Sequence, residues 1–126
     1  MAMNQEEMQN EIMQVQQLQQ QLQQIMTQKQ QLETRKKDLE NALEEIGKLE
    51  DETRVYKNIG EEILVQVEDR DDLVEEIEDD LESSEIRIKS LSRQEDKLRK
   101  KFQELQQKLT SQMGGVQQGP ISDGEN

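Results

Sequence analysis

The stretch VYKNIGEEILVQV, Val55 to Val67, decides how this chain folds. Ile63, Val65 and Val67 alternate with Leu64 and Gln66, a period of two that belongs to a strand. Val55 and Tyr56 open a β-branched and aromatic run, and Asn58 and Gly60 supply turn residues between the two halves. The pattern predicts two short strands, at about 54–58 and 63–68, forming a hairpin.

A two-stranded hairpin is marginal in water, because its edges stay open and one face has no cover. Here that face carries Val55, Ile63, Val65 and Val67. Hairpins from several chains joining into a closed sheet would remove the edges. The expected oligomer interface is therefore Val55, Tyr56, Ile59, Gly60, Ile63, Leu64, Val65 and Val67.

Long helical sequence flanks this element on both sides. From Val15 through Leu18, Leu22, Ile25, Lys29, Leu32, Lys36, Leu39 and Leu43 to Ile46, steps of three and four alternate without a break. Val15 takes an a position and Leu18 a d position of a heptad seam. The tract QVQQLQQQLQQIM resembles low complexity, but the seam and the helix propensity of glutamine favour a helix.

The second seam runs from Val74 through Ile77, Leu81, Ser84, Ile88, Leu91, Glu95, Leu98, Phe102 and Leu105 to Leu109. At 1.5 Å per residue the seams span roughly 48 Å and roughly 54 Å. Matching lengths predict an antiparallel two-helix coiled-coil hairpin. In one register Leu43 meets Ile77, Leu39 meets Leu81 and Leu32 meets Ile88. Lys36 then falls opposite Ser84, and Lys29 opposite Leu91, within reach of Glu95. Isolated polar residues on a seam are known register setters.

The expected division is a helix over 1–50, the hairpin over 51–68, a second helix over 69–113 and a disordered tail over 114–126. Asp69 or Asp71 can cap the second helix, with Asp72, Glu75 and Glu76 near the positive end of its dipole. Gly47 weakens the end of the first.

Composition narrows the chemistry. The 126 residues are 30% hydrophobic and 36% charged, with one Tyr, one Phe and no Trp, too little for a conventional globular core. An apolar seam escapes that limit, because it concentrates few residues on one line. Histidine and cysteine are absent. Zinc sites, thiol nucleophiles and the commonest general base are thereby excluded, and no phosphate-binding glycine loop appears. No enzyme and no cofactor are expected.

Net charge is −13, which opposes nucleic-acid binding. Between Glu61 and Glu82 twelve acids accompany one base, Arg70. That run lacks the alternating ligands and central glycine of a calcium loop, so it reads as a solvated face. KLRKK at 97–101 lies beside seam residues without an aromatic platform and reads as a solvated flank. No apolar run is long enough to span a membrane, and the start MAMNQEEMQNEIM is polar and acidic, unlike a signal peptide. A cytoplasmic location is expected.

A long heptad helix, VYKNIGEEILVQV, and then DRDDLVEEIEDDLESSEIRIKSLSRQEDKLRKKFQEL resemble a prefoldin subunit of the beta class, over about residues 5–112. The most specific parts are Val55-Tyr56-Lys57, Gly60, Leu64-Val65 and LESSEIRIKSLSRQEDKL. The interval 50–72 has room for one hairpin, as in beta-class subunits; alpha-class subunits carry two. The resemblance implies a hetero-hexamer of two alpha and four beta subunits, with a central β-barrel and coiled-coil arms. It implies an ATP-independent chaperone that captures unfolded proteins at the arm tips and passes them to a group II chaperonin.

Both helix ends remote from the hairpin would meet at such a tip, from Met8 to Leu18 and from Phe102 to Met113. The candidate client-binding residues are Met8, Ile12, Met13, Val15, Phe102, Leu105, Leu109 and Met113. Closure of the coiled coil accounts for Val15, Leu105 and Leu109. Exposure is expected at Met8, Ile12, Met13 and Met113, and methionine is flexible enough for promiscuous contact. The rival reading, a parallel coiled-coil spacer or tethering protein, needs continuous heptads; the strand pattern between Ile46 and Val74 breaks them.

Overall fold

The computed structural model describes residues 4–117, with side chains described for 4–112. Helix α1 covers Gln5–Gly47, strand β1 Tyr56–Gly60, strand β2 Ile63–Gln66 and helix α2 Arg70–Gln117. The chain divides into two compact units, Met1–Gln28 with Leu91–Asn126, and Lys29–Ser90.

Both helix starts are capped by a side chain placed just before the first turn. The Asn4 carboxamide oxygen accepts from the Glu7 amide at 2.7 Å, and Glu6 and Glu7 follow near the positive dipole end. Asp69 does the same for α2, accepting from the Asp72 amide at 3.2 Å, with Asp71 and Asp72 in its first turn. Of the two expected caps, Asp69 takes the role.

In the unit built from the helix ends, Leu18, Leu22, Ile25 and Leu91 are buried. Val15, Glu95, Leu98, Phe102, Leu105 and Leu109 are half-buried on the same three-four spacing. The residues between them are nearly all exposed. Glu11 pairs with Lys108, and Arg99 reaches Met26, so α1 and α2 run antiparallel in this unit. The glutamine tract is helical. Gln21, Gln24, Gln28 and Gln94, with Lys97, wall an open groove of about 440 Å³ floored by Ile25 and Leu98.

In the unit of residues 29–90, Leu32, Lys36, Leu39, Leu43 and Ile46 of α1 are half-buried, as are Val74, Ile77, Leu81 and Ile88 of α2. Ser84 is the most buried residue described, at 3% exposure. Lys36 reaches Glu85, the chain neighbour of Ser84, at 3.5 Å. Arg35 grips the Asp80 carboxylate through both Nε and Nη2.

Helix α1 ends at Gly47, three residues before the expected boundary, and closes with tight backbone turns, Lys48 to Glu45 and Leu49 to Ile46. The hairpin follows, its strands pairing antiparallel with Tyr56 opposite Gln66, Lys57 opposite Val65 and Asn58 opposite Leu64. Strand β1 begins and ends two residues later than its expected span, and β2 ends at Gln66 rather than 68. The Val67 amide donates to the Val55 carbonyl at 2.8 Å and closes the open end of the pair.

The turn differs from its expected chemistry. Gly60 ends β1 without a positive φ; Glu61 takes the left-handed conformation, at φ 40°. Asn58 supports it from below. Its Oδ1 accepts from the Gly60 amide at 3.0 Å and its Nδ2 donates to the Glu61 carbonyl at 3.1 Å. A register shift between Asn58 and Gly60 accommodates Ile59. Helix α2 continues through Gly114 to Gln117, past the point where the tail was expected to begin; the rest of that tail lies outside the described residues.

Candidate functional site

Two surfaces stand out, one in each unit, and both consist of apolar side chains left in water. The first is the hairpin. Every residue of β1 and β2 is exposed, and among their large apolar side chains Leu64 is the most open, at 62%. Strand alternation sorts them by face. Val55, Lys57, Ile63, Val65 and Val67 lie on one side, and Tyr56, Asn58, Leu64 and Gln66 on the other. Val55 and Val67 are half-buried, whereas Tyr56, Ile59, Ile63, Leu64 and Val65 are open. An exposed apolar hairpin with two free edges is a surface that needs a partner.

Polar groups fix this hairpin to its supports. Lys57 Nζ donates to Glu76 on α2 at 2.8 Å. Arg70, the one base of the acidic run, donates to the Glu50 carbonyl at 2.9 Å and the Thr53 carbonyl at 2.7 Å. It thereby ties the start of α2 to the connection that leaves α1. Asp51, Glu68, Asp69 and Asp71 gather around it. Among the described residues no group of three or more acidic side chains is placed to hold a metal ion.

The second surface is formed by the helix ends. Ile12 and Met13 point outward, 41% and 57% exposed. Met8 is half-buried rather than free, because it continues the seam with Glu11 and Val15. Phe102, Leu105 and Leu109 are half-buried on α2, consistent with closing the helix pair. The side chain of Met113 lies outside the described residues.

Two charged residues missed by the sequence reading complete this surface. Lys108 Nζ donates to Glu11 Oε1 at 2.8 Å across the two helices. That hydrogen bond first, and the attraction of the two charges second, raise the Lys108 pKa above its ordinary value. The signal for Glu11 was available: the three-four pattern traced back from Val15 lands on it and then on Met8. Nothing in the local sequence marks Lys108 as its partner.

Together these features define a two-helix coiled-coil hairpin with an exposed β-hairpin between its helices, and among the described residues no helix is long and apolar enough to cross a membrane. Residues 9–115 match the family described as Prefoldin subunit. The prefoldin subunit beta of Archaeoglobus fulgidus is 52% identical over 103 residues, covering 82% of this chain and 87% of the relative. That of Methanocella arvoryzae is 49% identical over 119 residues, covering 94% and 93%. The crystal structure of the prefoldin beta subunit from Thermococcus strain KS-1 superimposes with a TM-score of 0.72 at 34% identity, covering 88% of this chain and 96% of that one.

The chain belongs to the prefoldin subunit family. Members of that family are chaperone subunits and not enzymes.

Proposed function

We infer that this chain is a beta-class arm of a cytoplasmic hetero-hexamer of two alpha-class and four beta-class subunits. Its hairpin contributes strands to a shared closed sheet. Its helix ends capture unfolded proteins without ATP and release them to a group II chaperonin. The observation that carries the capture reading is the placement of Ile12 and Met13. They stand off the seam, exposed side by side near the start of α1. Thioether and branched aliphatic side chains make contacts that do not depend on partner sequence. Each such surface binds weakly, and several around one cavity gain avidity.

The test is the Ile12→Ser, Met13→Ser double variant, assembled with an alpha-class subunit. Light scattering should return the wild-type mass. Suppression of aggregation of a chemically denatured client should fall several-fold. Undiminished suppression by a correctly assembled variant refutes capture through these residues.

A further inference from the structure

Glu11 occupies a seam position, and most such positions in the helix pair are apolar. It lies three residues after Met8 and four before Val15, and its side chain keeps only 15% of its exposure. Oε1 is held by Lys108 at 2.8 Å, while Oε2 is buried with no hydrogen-bond partner. A carboxylate taken out of water and only half satisfied is a costly way to close a seam. Lys108 remains 54% exposed, so water and salt compete for it. The ends of the helix pair are therefore held by a bond that is easier to release than the leucine layers at Leu18 and Leu22.

We propose that the Glu11–Lys108 pair positions the two helix ends and so sets how much apolar surface is offered to a non-native chain. This rests on the capture reading above. With the pair intact, Ile12 and Met13 face outward beside it, whereas Met8, Val15, Phe102, Leu105 and Leu109 are half-buried. With it parted, Val15, Leu105 and Leu109, half-buried when closed, join them. Both partners lie among these apolar residues, so breaking one ion pair enlarges one continuous surface. The raised Lys108 pKa agrees with a pair that is intact at neutral pH. Salt weakens it, because the screening length falls to about 3 Å at 1 M.

The experiment uses the full chain in its assembled complex. The chain has no native cysteine, so spin labels at Asn10→Cys and Gln107→Cys report the spacing of the ends when labelled chains are diluted with unlabelled ones. Glu11→Lys should lengthen the distance and raise capture of a denatured client several-fold. The charge-swapped E11K/K108E should restore both to wild type. Wild type should lengthen with salt, and E11L/K108L should stay short, capture less and show no such lengthening. A distance that ignores charge sign, or a swap that fails to rescue, overturns the pair as the positioning element. Distances that follow the charges while capture stays constant overturn its link to capture, and the capture reading itself stands or falls separately with the Ile12→Ser, Met13→Ser variant.

Discussion

The Arg70 guanidinium donates to the Thr53 carbonyl at 2.7 Å, across seventeen residues of chain, and the same Nη2 reaches Glu50. These bonds fix the geometry at which α1 leaves and α2 begins. Arg70→Ala leaves two carbonyls to water and releases the connection. The expected loss is about 1 kcal/mol, the usual net worth of such bonds near a surface. Amide exchange at residues 50–55 should accelerate. Arg70→Lys should recover only part of it, since an ammonium lacks the planar fork. Unchanged exchange in Arg70→Ala would show that the contacts do not constrain the connection.

Glu61 sits at φ 40°, a region that costs a side chain with Cβ about 1–2 kcal/mol. Its carbonyl, and not its side chain, meets Asn58. Glu61→Asn keeps that bond and suits the left-handed region. It should raise thermal stability of the assembled complex by about 0.5 kcal/mol per chain. Glu61→Val should lower it by more than that, because a β-branched side chain crowds the same backbone. Equal melting of both variants would contradict the strained turn.

The difference between these two sites explains which parts of the fold were legible in the sequence. The seams were readable because burial along a helix repeats every three or four residues. Leu18, Leu22 and Ile25 are buried as that spacing requires. The hairpin was readable from its period of two. The turn was only half readable: Asn58 and Gly60 are the residues that favour turns, yet the register shift moves the positive φ onto Glu61. Arg70 disappeared into the sum of an acidic run, because net charge records sign and not which carbonyls a guanidinium touches. Ile12 and Met13 were legible as off-seam residues, whereas the Glu11–Lys108 bond joins positions ninety-seven apart and has no local signal.

Val65 faces Lys57 across the strand pair, on the side that also carries Val55, Ile63 and Val67. Val65→Asp places a carboxylate beside that ammonium, which a free chain tolerates because the site is open to water. A closed sheet would bury the same carboxylate at a cost of several kcal/mol. The variant should keep its helical circular dichroism and lose its place in the hexamer, giving a smaller mass by light scattering. Incorporation at wild-type mass would exclude Val65 from the sheet interior.

Ser84 is small where its seam neighbours Leu81 and Ile88 are large, and it is more buried than either. The helices pass closely there, with Lys36 bound to Glu85 and Arg35 to Asp80 on the flanks. Ser84→Leu must push Lys36 aside or part the helices, straining both pairs. Overpacking of this kind costs about 1–3 kcal/mol. Ser84→Ala adds no volume and should change stability by less than about 1 kcal/mol. The pairing itself is tested by compensation. If Lys36 lies over Ser84, Lys36→Ala makes the space that leucine needs, and the double variant should melt above Ser84→Leu alone. Strictly additive losses in the two single variants would place Lys36 and Ser84 in different layers and overturn the register.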